Sequence, residues 1–151
     1  MDEHAVDLDL LANSVNQAKF SLVIVESPYA GDVEENLIYA RLCCRDSYMR
    51  GENPFASHLF YTQFMDDKLK EEREAGILLG FEHWERASKI VFYIDKGLSN
   101  GMRSALDRAI DHQMRVEMRY LHEGPLYAQD KHFRTLPKSP IHGELPNIQR
   151  P

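Results

Sequence analysis

Two rhythms of hydrophobic spacing alternate along this chain. Short, nearly continuous apolar runs, FSLVIV at residues 20–25 and KIVFYI at residues 89–94, have the pattern of strands covered on both faces of a sheet. Between and after them, apolar residues recur every three or four positions. VEENLIYARLCCRDSYMR (33–50) predicts a helix with Val33, Leu37, Ala40, Leu42 and Cys44 inward, capped near Asp32 and ended at Gly51. LKEEREAGILLGFEHWERA (69–87) predicts a second helix, with Ala75, Leu78, Leu79, Phe81 and Trp84 dividing packing and solvent demands. SALDRAIDHQM (104–114) predicts a third. NPFASHLFYTQFM (53–65) contains a short strand or extended segment, and RVEMRYL (115–121) a last strand. Strands alternating with helices predict an α/β fold: a flavodoxin-like three-layer open sheet, mostly parallel, with helices on both faces.

The flanks differ from this core. Residues 1–19 predict a helix or arm, residues 20–121 the core, and residues 122–151 a proline-rich wrap or interface tail, with prolines at 125, 137, 140, 146 and 151. The whole is one domain's length, 43% hydrophobic and 28% charged, a globular profile. A net charge of -6 argues against a nucleic-acid polymer as partner, since phosphate backbones are bound by displacing counterions with Lys and Arg. A small phosphorylated ligand needs only a few N–H groups and one or two cations. No basic-plus-apolar leader and no run near the ~20 residues of a membrane span is present, which predicts a cytoplasmic protein without a membrane partner. Cys43 and Cys44 are adjacent; they read as buried or half-buried free thiols, with no metal-ligand set and no cofactor implied.

In an open parallel sheet, ligands sit beyond the carboxyl ends of the strands. SPYAGDVEEN (27–36), NPFASHLFYTQF (53–64) and DKGLSNGMRS (95–104) all reach that edge. In the first, Tyr29 can stack on a planar ring, Gly31 permits close backbone approach, and Asp32 or Asn36 can hydrogen-bond sugar hydroxyls. SPYAGD also satisfies itself as a turn and cap with no ligand present. The second offers Ser57, His58, Tyr61 and Gln63; a lone histidine such as His58 is usually structural or surface-exposed, and otherwise serves as a general base or an orienting group. In the third, N–H groups from Ser99 through Gly101 to Met102 can receive a phosphate, or Ser99 can simply cap the helix. Asp32 and Asp95 are the carboxylates nearest these ends; Asp95 can equally cap its own turn.

VIVESPYAGDVEENLIYA, GENPFASHLFYTQFMDD and GFEHWERASKIVFYIDKGLSNGM, with the helix and RVEMRYL strand that follow, resemble the nucleoside 2-deoxyribosyltransferase-like superfamily over roughly residues 20–120. Within it, the similarity is to small nucleotide N-glycosidase-like phage and bacterial proteins. The resemblance implies a nucleoside or nucleoside monophosphate ligand, hydrolysis or transfer at the base–sugar bond, and a homo-oligomer such as a dimer. It places Tyr29 beside the base or sugar, Gly31, Asp32 and Asn36 in the first ligand loop, and Ser99, Gly101 and Met102 at the 5′-phosphate. The nucleophilic glutamate it implies falls on Ala105, whose methyl group can neither attack carbon nor accept a proton. Ser88 departs a second time, near a position where many relatives carry aspartate. GMRSALDRA is so near GMRSELDRA that an inactivating substitution is favoured over natural loss, and this exact chain is expected to bind with absent or severely reduced turnover.

Overall fold

The computed structural model describes residues 20–129, and the sequence expectations for residues 1–19 and 130–151 lie outside that span. Four parallel strands form a sheet in the order β2-β1-β3-β4, where β1 is Leu22–Glu26, β2 Asn53–Phe55, β3 Lys89–Tyr93 and β4 Val116–Arg119. Five helices connect and follow them: α1 (Val33–Met49), α2 (Ser57–Phe60), α3 (Lys70–Glu82), α4 (Asn100–Asp111) and α5 (Pro125–Gln129). This is the expected α/β fold, with helices on both faces.

Side-chain alternation along the strands divides the core in two. On one face Val23 and Val25 of β1 and Val91 and Tyr93 of β3 pack with Tyr39, Leu42 and Cys43 of α1. On the other, Ile24, Ile90 and Phe92 pack with Met102, Ala105 and Ala109 of α4 and with Trp84 beyond α3. Ile24 pairs with Ile90 and Glu26 with Phe92, so Glu26 continues the row that faces α4.

α1 runs as expected but rotates relative to the predicted stripe. Asp32 caps it, its carboxylate accepting from the Glu35 N–H at 3.1 Å, and Glu34 and Glu35 in the first turn favour the positive end of the helix dipole. Tyr39, Cys43, Asp46 and Ser47 join Ala40 and Leu42 on the buried side, whereas Val33 is exposed. The buried polar groups explain the rotation. The Asp46 carboxylate accepts from the Tyr93 hydroxyl at 2.8 Å, Arg50 Nε at 2.9 Å and the Leu126 N–H at 3.2 Å, so α1 presents a polar stripe to β3 and α5.

Leu121 and Leu126 are both buried in the α1 cluster, so the chain as far as α5 packs on the sheet. Cys43 is a buried free thiol and Cys44 a half-buried one. Among the described residues, no helix is long and apolar enough to cross a membrane.

Candidate functional site

A cavity of about 630 Å³ opens at the carboxyl ends of β1 and β3, within the size range of small-molecule sites. Its elements are the loop after β1, the α2 region, one side of α3 and the first turns of α4. Each has a local physical cause. Pro28 follows β1 closely, and Gly31 adopts φ +98°, a left-handed conformation that favours glycine and turns the loop toward α1. Asn36 braces this loop from within α1, its Nδ2 donating to the carbonyls of Tyr29 and Ala30 at 3.1 and 3.0 Å while its Oδ1 accepts from Lys96 at 3.2 Å.

On the second side, α2 lies close against α3. A Cβ on Gly80 would stand 2.9 Å from Ser57 Cβ, so glycine is what allows this approach. His58 turns inward and shares a 2.8 Å hydrogen bond between its Nε2 and Ser27 Oγ, with the Tyr29 ring edge-on at 6.3 Å between centroids. Burial pushes the His58 pKa down to about 4, making it a neutral imidazole at physiological pH. Tyr61 is held by a 3.0 Å hydrogen bond to His83 Nε2, and His83 stacks on Phe55.

α4 supplies the third wall. Ser99 is its N-cap, with Oγ accepting from the Met102 N–H at 3.2 Å. Ser99, Gly101, Met102 and Ala105 all line the cavity, and Ala105 is buried, with only 7% of its surface exposed. Thus Tyr29, Gly31, Ser57, His58, Ser99, Gly101, Met102 and Ala105, drawn from three separate stretches of sequence, share one space.

A family model described as a domain of unknown function (DUF7768) matches residues 21–119. The chain belongs to this family. The DUF7768 span runs from just before β1 to the last residue of β4 and contains every segment that forms the cavity. No curated protein matches the chain, nor does any solved structure.

Four sequence candidates in the DUF7768 domain, Gln63 among them, stand outside the cavity lining. Asp32 is exposed and occupied as the α1 cap, and Asn36 is occupied as the loop brace. Asp95 is buried on the α1 side, where its carboxylate accepts from the Tyr39 hydroxyl and from the Leu121 N–H at 2.9 Å, with His122 Nδ1 at 3.0 Å. It ties the chain after β4 to the sheet. Ser88 sits at the amino end of β3, opposite the cavity, and donates to the Leu22 carbonyl at 3.1 Å. Its departure from the pattern that the resemblance implies therefore lies away from the cavity.

Glu26 and Arg73 are among the lining residues that the sequence did not single out as site candidates. Glu26 ends β1 on the α4 face, half-buried, and burial raises its carboxyl pKa from 4.5 to about 7. Its carboxyl makes no hydrogen bond or ion pair with the described residues. Arg73 of α3 also reaches the lining, with a guanidinium free of hydrogen bonds and ion pairs to the described residues. The signals were present: a charged residue closing an apolar run on the parity of Ile24, and a cation amid the acidic first turns of α3. Among the described residues, no group of three or more His, Cys, Asp or Glu is gathered to hold a metal ion.

Proposed function

We propose that the cavity binds a nucleoside 5′-monophosphate and that the chain is a nucleotide N-glycosidase-like protein lacking its attacking carboxylate. The observation that carries this reading is convergence: loops far apart in sequence bring Tyr29, His58, Ser99 and Ala105 into one cavity of nucleotide size. Tyr29, Tyr61 and Trp84 offer faces and edges to a planar base. The first N–H groups of α4 and the guanidinium of Arg73 offer the apparatus for a phosphate, a dipole end and one cation.

In the glycosidase reading, a carboxylate at position 105 attacks the anomeric carbon as the carbon–nitrogen bond to the base breaks, and water then releases the sugar phosphate. The Ala105 methyl cannot perform this step. The chain therefore retains ligand without that route to turnover. Ala105→Glu is expected to release free nucleobase and sugar phosphate from a nucleoside 5′-monophosphate, read by chromatography. Binding without cleavage across a broad panel of bases and sugars would remove the glycosidase reading and leave a nucleotide sensor or sequestering protein, a reading that Ala105 itself favours. Product formation only when an acceptor base is added would mark a deoxyribosyltransferase instead.

The same reading includes a homo-oligomer. Phe60 and Phe64 near α2, and Leu78 and Leu79 on α3, are exposed apolar side chains between 43% and 66% accessible, a density that marks association surfaces. Sedimentation equilibrium should give twice the chain mass or more, and Leu78→Glu should shift it toward the monomer. A monomer at all concentrations contradicts this part.

A further inference from the structure

Resting on the nucleotide reading of the cavity, we propose that Glu26 determines ligand specificity by holding the base as a neutral carboxylic acid, its O–H donated to an acceptor nitrogen of the heterocycle. The argument begins with the strand. Ile24 packs against Met102 and Ala105, and Glu26, two residues on, projects to the same side of the sheet at the point where the core gives way to the cavity. The Glu26 carboxyl thus shares the cavity lining with the mainly apolar side chains of Trp84, Phe81 and Met102, and no described residue pairs with it.

A half-buried carboxyl without a partner is costly when ionised and far less costly when neutral. Desolvation accordingly moves its titration to about 7. A neutral carboxyl presents one donor and one acceptor side by side, which complements an acceptor ring nitrogen and the amino group beside it on the edge of a nucleobase such as adenine or cytosine. A carboxylate presents acceptors only and repels a ring nitrogen lone pair. Glu26 therefore selects nitrogen heterocycles over carbocyclic aromatic rings and couples that choice to pH.

Other groups face the same space and must be separated from Glu26. His58 of α2 stays neutral above pH of about 4. Tyr29 precedes α1, with a hydroxyl pushed up chiefly by burial, and Tyr61 follows α2. Asp67, Glu72 and Arg73 approach from the α3 side, and α4 contributes no titratable side chain to the lining. A 5′-phosphate adds its own ionisation near pH of about 6, so the unphosphorylated nucleoside is the cleaner probe.

The experiment is calorimetric titration of adenosine and cytidine, each with its 5′-monophosphate, into the full chain and into Glu26→Gln and Glu26→Ala between pH 6 and pH 8.5. If only the neutral acid binds, affinity of the wild-type chain for the better nucleoside falls by roughly thirtyfold across that range, following the neutral fraction of a group titrating near 7. Glu26→Gln, which keeps a donor and an acceptor, should bind with a flat profile, and Glu26→Ala should bind weakly throughout. A wild-type profile that is flat, or that Glu26→Gln reproduces, overturns the proposal while leaving the nucleotide reading standing. Failure of all four compounds to bind the wild-type chain at any pH overturns the nucleotide reading and this proposal with it. A flat wild-type profile overturns the proposal even if a variant fails to fold.

Discussion

Glu26 has a stability consequence that needs no ligand. Its folded-state pKa lies near 7, above the ordinary value of 4.5. Below the ordinary value the side chain is neutral whether the chain is folded or not, and its burial is tolerated; as pH rises through about 7, that favourable difference is lost because the folded chain must hold a poorly solvated charge. Glu26→Gln should therefore be more stable than the wild type at pH 8 by about 1 to 3 kcal/mol, with the difference vanishing near pH 4. Urea unfolding at the two pH values measures this, and an equal difference at both would place the effect elsewhere. Single residues were the hardest scale to read from sequence. Asp95 and Glu26 both end apolar runs, yet one is buried against Tyr39, 56 residues away, and the other opens into the cavity. Only the strand's pairing and the identity of the helix over each face separate those fates.

Elements were more legible, because apolar period is a local property. β1, α1, β3 and β4 follow their predicted runs closely, whereas NPFASHLFYTQFM contributes only Asn53–Phe55 to the sheet before turning helical. β2 is an edge strand, and Pro54 within it has no N–H to donate, so little holds the segment extended. α4 begins at Asn100, a turn ahead of the stretch beginning at Ser104, because the Ser99 cap starts the helix before apolar spacing becomes visible. The contact between α2 and α3 is a tertiary demand that periodicity does not carry, and Gly80 records it. Gly80→Ala should force α2 away from α3, costing about 1 to 3 kcal/mol and weakening any ligand held by Ser57 and His58. Gly76→Ala is the control: its Cβ would meet Tyr61 Cβ at an ordinary 3.7 Å, and the better helix former should leave stability unchanged or raised by up to about 1 kcal/mol. Thermal unfolding compares the pair, and equal losses would contradict the close-approach argument.

At the scale of the molecule, the sheet order and the division of its two cores account for where chemistry can occur. The α1 face is closed by polar groups that satisfy one another. Arg119 donates to both oxygens of Glu52 at 2.7 and 2.8 Å, and although burial alone would raise Glu52, hydrogen bonds from Arg119 and Lys89 hold it down at about 2. The α4 face ends instead in a cavity lined by a carboxyl and a guanidinium that no described residue pairs, and by a methyl group where the resemblance implies a nucleophile. Sequence pattern revealed that three loops meet at one edge of the sheet and that Asp32 can cap α1; it did not reveal that Asn36 braces the first loop or that Asp95 reaches Leu121, because both contacts depend on how the segments pack. The most direct test is a crystal structure of the chain with a bound nucleoside 5′-monophosphate. The account predicts the phosphate at the Ser99–Met102 turn, the base against Glu26 and Trp84, and the anomeric carbon within about 4 Å of Ala105 Cβ, ordinary contact distance. A nucleotide seated outside this cavity, or one inside it with the anomeric carbon turned away from Ala105, would contradict it.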